Sequence, residues 1–168
     1  MKIGILSDSH NHLPETRRAL DLLVARGADC LVHCGDAGED VVDLISAVCQ
    51  THELRAYVAL GNCDRYQSGD HRFVANLVGI ERSAQPEFEA DGQRCTVLHG
   101  HEPRRLVAAA TSGQFAYIFT GHTHRPSDEH IGSTRILNPG SCARPRIGPP
   151  TVLLLETDSG RADWLPVI

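Results

Sequence analysis

The sequence predicts an α/β fold of two sheets packed face to face with helices outside. Three observations predict it. Strand-like apolar runs and helical stripes alternate over residues 2–60. Tight-turn signals between β-rich runs dominate the second half. Of 168 residues, 41% are apolar and 22% charged, which suits one domain with a sizeable core.

Taken in order, KIGIL (2–6) is a short β-branched run that predicts a strand. PETRRALDLLVARG (14–27) opens on proline and closes on glycine, the punctuation of a helix, with Leu20, Leu23 and Val24 on one face. CLVHC (30–34) predicts the second strand. In EDVVDLISAVCQ (39–50), Val41, Leu44, Ile45, Val48 and Cys49 recur at helical spacing. RAYVAL (55–60) is the third strand, and the strand–helix alternation implies right-handed parallel crossovers. Residues 65–86 show little periodicity. EFEADGQRCTVL (87–98) reads as a hairpin about Asp91-Gly92, and PRRLVAAATSG (103–113) as a short helix. AYIF (116–119) is a buried strand. DEHIGSTRIL (128–137) and TVLLLETDSGRADWL (151–165) read as hairpins about Gly132-Ser133 and Ser159-Gly160. ARPRIGPP (143–150) is a proline-rich loop. The reading is a parallel α/β half followed by an antiparallel β half in a single domain over residues 1–168.

A net charge of −5 argues against strong nucleic-acid binding. The chain shows no signal-like h-region and no apolar run of about 18 residues, so it reads as cytoplasmic, with no membrane partner. Cysteines 30, 34, 49, 63, 95 and 142 form no C-x-x-C pair, which leaves a zinc ribbon unsupported. The apolar C-terminal WLPVI fits a last core strand or a homo-oligomer contact equally well.

The residues that carry function sit at the ends of the apolar runs. Ser7-Asp8-Ser9-His10, Gly35-Asp36, Gly61-Asn62, His99-Gly100-His101 and Gly121-His122-Thr123-His124 each close a strand-like segment. Ligands of α/β sheets bind outside the carboxyl ends of strands, and glycine there permits close approach. Each residue alone has an ordinary explanation: Asp8 as a helix cap, Asp36 and Asn62 as turn residues, His99 or His122 as hydrogen-bonded histidines. Together, two carboxylates, an amide and four imidazoles make a mixed N/O donor set that suits manganese, iron, cobalt, nickel or zinc. Seven donors fit two ions if one carboxylate bridges. Such a centre carries about one net positive charge with its hydroxide and attracts a phosphate.

The motifs SDSHNHLP, HCGDAG, LGNCD, LHGH, TGHTHRP and ILNPGS, running from residue 7 to residue 141, resemble those of the calcineurin-like metallophosphoesterases. They look most like the small YfcE-type phosphodiesterases, a branch that includes the retromer scaffold subunit. The resemblance implies a four-layer α/β/β/α sandwich of two mixed sheets flanked by helices. It implies one ion on Asp8, His10, Asp36 and His124 and another on Asp36, Asn62, His99 and His122, with Asp36, Asn62, His10 and His99 central to catalysis. The implied reaction is in-line attack of a metal-bridging hydroxide on a small phosphate ester, with manganese the leading metal. The alternative is a scaffold module on the same fold.

One departure stands out. Many relatives carry G-N-H after the third strand, and that histidine donates the leaving-group proton; here the stretch is GNCD, and Cys63 is a weaker acid. His12 is an alternative donor or an exposed loop histidine. His101 is a candidate outer partner of a metal-bound imidazole, His33 a core or supporting histidine, and NPGS (138–141) a turn beneath the site. Arg125 and Arg144 either bind a second anionic group or are solvated. His52, His71 and His130 read as surface residues.

Overall fold

The computed structural model describes residues 1–64 and 79–168. His71, and the part of the weakly periodic stretch over 65–78, lie outside the described residues. The first part alternates strand and helix over β1 (Lys2–Leu6), α1 (Leu13–Ala25), β2 (Cys30–His33), α2 (Glu39–His52) and β3 (Arg55–Ala59), and β4 (Ile80–Ser83) is the next described strand. The hairpin β5 (Glu87–Ala90) and β6 (Gln93–Val97), then α3 (Pro103–Thr111) and β7 (Tyr117–Phe119), lead into two further hairpins. These are β8 (Pro126–Ile131) with β9 (Thr134–Pro139), and β10 (Thr151–Glu156) with β11 (Arg161–Pro166).

Local chemistry sets the boundaries. Helix α1 ends in a Schellman motif: Gly27, at φ +78°, donates to the Val24 carbonyl and Ala28 to that of Leu23. Helix α2 has no cap of its own at Gly38; Asn11 Oδ1 accepts the Val41 N–H at 3.4 Å instead. Asp91 and Gly92 both take positive φ, the left-handed pair a two-residue hairpin requires.

The strands form a six-stranded sheet, β11-β10-β1-β2-β3-β4, and a five-stranded sheet, β5-β6-β7-β9-β8. Strands β1 to β3 are parallel, as the crossovers predict, β4 adds to them in parallel, and β1 pairs antiparallel with β10. The structure corrects the split into a parallel half and an antiparallel half. Strands β6, β7 and β9 are mutually parallel, because α3 supplies a crossover, and the C-terminal hairpin joins the first sheet. Its β10 is buried on both faces, so it belongs in a sheet interior: Val152 and Leu154 face the helices, Leu153 and Leu155 the other sheet.

Three apolar clusters separate four layers. One lies between α1, α2 and the first sheet, the second between the sheets, and the third under α3. Gly4 sets the first spacing: a Cβ there would lie 3.1 Å from Ala28 Cβ and 3.2 Å from Leu23 Cβ. WLPVI resolves as the last strand, with Trp164 against the inter-sheet cluster and Leu165 and Val167 against the helix side. No helix among the described residues is long and apolar enough to cross a membrane.

Candidate metal centre

The loops that leave β1, β2, β3, β6 and β7 meet at one edge of the sandwich. They are stitched together by backbone bonds: Asp8 N–H to the Gly35 carbonyl (3.1 Å), His10 N–H to Asp36 (2.9 Å) and Gly121 N–H to His99 (3.0 Å). Asp8, His10, Asp36, His122 and His124 all sit at positive φ, between 44° and 66°. Asp and His tolerate that region better than most residues, but it still costs on the order of 1 kcal/mol each. The strand geometry ends at Gly121, and the two histidines behind it diverge. His124 Nε2 lies 3.2 Å from Asp8 Oδ1, whereas the His122 ring stands 5.2 Å from that of His99.

The glycines before the candidates are there for space. A Cβ at Gly35 would approach His99 Nδ1 at 2.7 Å; one at Gly61 would strike the Asp36 carboxylate, and one at Gly121 Ser7 Oγ. Neither Gly61 nor Gly121 needs a positive φ.

The side chains then bring imidazoles against oxygens. His124 Nδ1 meets the Arg144 carbonyl at 2.6 Å, and His99 Nδ1 that of Cys34 at 2.8 Å. Each Nδ1 therefore donates, which leaves each Nε2 as the nitrogen aimed into the site, free to bind a metal in the neutral ring or to donate to a carboxylate in the protonated one. His124 Nε2 faces Asp8 Oδ1 and, at 3.3 Å, His10 Nε2. His99 Nε2 faces Asn62 Oδ1 at 3.2 Å and Asp36 Oδ2 at 3.4 Å. That same Asp36 oxygen is 3.9 Å from His10 Nε2, so it stands between the two groups. Three sets of donors lie close enough together to share an ion: Asp8, His10 and His124; Asp8, Asp36 and His99; and His10, Asp36 and Cys63. Such an arrangement fits divalent cations. His122 is the outlying member. Its side chain is exposed, and its backbone N–H donates to both Asp8 oxygens, at 3.2 and 3.1 Å.

The same contacts set the ionisation states. Burial raises the Asp8 carboxyl, against the Ser7 hydroxyl bond that lowers it. Burial also pushes Asp36 up, but the His99 imidazole and the Cys63 N–H hold it well below the usual carboxylate range. Burial pushes His99 down, and Asp36 more than offsets that, so this imidazole is raised. Burial lowers His10, against the Asp36 and Asp8 carboxylates that act to raise it.

Support comes from residues behind the donors. Asp64 is buried and accepts four backbone N–H groups: Asp36 (2.9 Å) and Gly61 (2.8 Å) at Oδ2, Ala37 (3.1 Å) and Gly38 (3.2 Å) at Oδ1. The motifs do not single out Asp64; its one signal is an acid two residues past Asn62 in the same loop. His33 is a supporting histidine. It accepts the Gly35 N–H at Nδ1 and meets Ser9 Oγ at Nε2, and Ser9 donates on to the Ala37 carbonyl. The NPGS turn does lie beneath the site: Asn138 Nδ2 donates to the Gly121 carbonyl, and Ser141 Oγ to that of Asp8, both at 2.8 Å.

The remaining candidates separate. His101 is not the outer partner of His99, because the Cys34 carbonyl takes that role; its ring stands 5.4 Å from that of His99. His12 turns away from the donors, its Nε2 accepting Arg144 Nε at 2.8 Å. Cys63 is exposed beside Asn62, and the Asp36 carboxylate, with burial behind it, pushes its thiol up to about 11. His52 and His130 are exposed.

A strand-end site of this donor set on a two-sheet sandwich defines a metallophosphoesterase-type protein. The calcineurin-like phosphoesterase superfamily domain matches residues 1–160, and the chain belongs to that family. It is 30% identical to phosphodiesterase MJ0936 of Methanocaldococcus jannaschii over 94% of each chain. It is 31% identical to phosphodiesterase YfcE of Escherichia coli, over 89% of this chain and 84% of that one. An archaeal phosphodiesterase structure superposes with a TM-score of 0.84 at 26% identity, covering 98% of this chain and 99% of that one. Vps29 of Entamoeba histolytica, solved with zinc, shares the fold at a TM-score of 0.65 and 19% identity, covering 98% and 97% of the two chains.

The supporting residues can be tested separately from the donors. In Asp64→Asn an amide group would face two N–H donors, so stability falls by about 3 kcal/mol in urea denaturation. Unchanged stability would show that Asp64 does not hold these loops. His33 is buried with both ring nitrogens engaged, which pushes it down to about 4. The unfolded chain binds a proton below about 6.5 and the native site does not until about 4, so native stability declines as pH falls through that window. Nitrogen NMR should find the His33 ring neutral at pH 5.5, and titration near 6.5 would contradict the assignment.

Proposed function

We propose that residues 1–168 act as a single-domain, binuclear metal-dependent phosphodiesterase on small phosphate esters. One ion would be held by Asp8, His10, Asp36 and His124, the other by Asp36, Asn62, His99 and His122. The observation that carries this reading is the convergence of carboxylate oxygens and imidazole Nε2 atoms on both sides of Asp36 Oδ2, close enough together for divalent cations to be held there. The N/O donor set favours a transition metal such as manganese. When bound, two such ions supply Lewis-acid polarisation of the phosphoryl oxygens and an activated water.

The chain's own groups do the rest. Asp36 fixes the spacing between the two halves, and the Cys34 and Arg144 carbonyls lock the His99 and His124 tautomers. Asn62 is exposed at the lip; its Nδ2 gives one hydrogen to Cys63 Sγ at 3.4 Å and has the other for a phosphoryl oxygen. Cys63 holds its proton at neutral pH and releases it reluctantly, which favours substrates whose leaving group needs little help.

The scaffold alternative has less support. It has no use for these converging groups, and the exposed large apolar residues among those described, Leu13, Val107, Ile147 and Ile168, lie on separate elements. The six cysteines are free thiols, five of them buried, which supports a cytoplasmic setting.

After metal stripping, hydrolysis of bis-(p-nitrophenyl) phosphate should return on adding Mn²⁺ and fall at least ~100-fold in His99→Ala. Diesters with alkyl leaving groups should turn over far more slowly than aryl ones. No turnover with any transition metal, in a folded protein that binds it, would overturn the proposal.

A further inference from the structure

Three arginines surround His124 without serving the metal donors. Arg125 is next to it in the chain, the Arg146 N–H donates to its carbonyl at 3.3 Å, and the Arg144 carbonyl meets its Nδ1 at 2.6 Å. All three side chains are exposed. Many arginines elsewhere face carboxylates, as in Arg17–Asp21, Arg82–Glu39, Arg94–Glu87 and Arg135–Asp128, and those that do not, Arg26, Arg55 and Arg104 among the described residues, lie outside the loops of the site. Among the described residues, no carboxylate lies within ion-pair distance of Arg125, Arg144 or Arg146. In a chain of net charge −5, one lip of the site thus gathers three arginines without a paired carboxylate.

Arg144 is also aimed. Its N–H donates to Ser141 Oγ at 2.7 Å, and its Nε donates to His12 Nε2 at 2.8 Å. The Nε bond fixes the plane of the guanidinium. It leaves the two terminal amino groups, which can grip a phosphate, without a protein partner among the described residues. His12 thus acts as a positioning residue for Arg144. A phosphodiester has two ester arms, and an arm that leaves the site past His124 runs over this lip.

We propose that the Arg144 lip is a subsite for a second anionic group, so that the preferred substrates are small phosphodiesters whose ester arm carries a further phosphate. The proposal rests on the phosphodiesterase reading above. The terminal amino groups of Arg144 make the main contact, and Arg125 and Arg146 add field.

The test compares the p-nitrophenyl ester of thymidine 5′-phosphate with the same ester bearing a 3′-phosphate, on metal-loaded protein. The second should be favoured by about 10-fold in kcat/KM, mainly through KM, and less so at high salt. Arg144→Gln should lose most of that preference with metal content unchanged, and Arg144→Lys should keep part of it. Calorimetric binding of thymidine 3′,5′-bisphosphate against thymidine 5′-phosphate gives a readout independent of turnover and should move in the same way. Turnover of both esters without preference, or a preference untouched by Arg144→Gln and Arg125→Gln, would overturn the subsite and leave the phosphodiesterase reading standing. Tighter bisphosphate binding that Arg144→Gln abolishes, without turnover of either ester, would keep the subsite and remove the phosphodiesterase reading.

Discussion

The structure depends on one electrostatic constraint: imidazole nitrogens and carboxylate oxygens are held within 3.2–3.9 Å of one another around Asp36 and Asp8. Gathering so many polar groups at a largely buried edge is costly unless each has a partner. The fold holds them there with rigid supports on every side. Carbonyls of Cys34 and Arg144 fix two imidazoles, four N–H groups anchor Asp64, and the Ser9–His33 pair braces the first two loops. The cost appears in the backbone, where five of the candidate donors take left-handed conformations. A folded domain tolerates such strain when the rest of it is well packed, and here three apolar clusters fill every interface between layers.

The layering explains why one edge collects the chemistry. Parallel strands β1, β2 and β3 must all end on the same side, so the first sheet delivers Asp8, Asp36 and Asn62 together. Strands β6, β7 and β9 are parallel to one another for the same topological reason; β6 and β7 bring His99, His122 and His124 to the facing edge, and β9 brings the turn beneath them. The inter-sheet cluster that includes Ile3, Val32, Phe119 and Leu153 then holds the two edges in register.

Much of this is legible in the sequence because the strands that matter are apolar runs with polar ends. The seven candidate donors stand out for that reason, and the glycines at 35, 61 and 121 for the space they leave. Strand β4 is hidden: IERS is a half-covered edge with a single large apolar residue and no alternation. The parallel pairing in the second sheet is hidden as well, since hairpin signals report local contacts and not which distant strand lies alongside. Asp64 and Asn138 are hard to see as supports because their partners are backbone groups, which leave no mark in the sequence. The way His99 and His124 turn Nε2 into the site becomes visible only with the carbonyls behind them.

The central claim is that Asp36 is shared by two cations. Anomalous diffraction from crystals soaked in Mn²⁺ tests it most directly. The account predicts two peaks roughly 3.5–4 Å apart with Asp36 Oδ2 ligating both. A single peak, or two peaks with Asp36 bound to neither or only one, would contradict it.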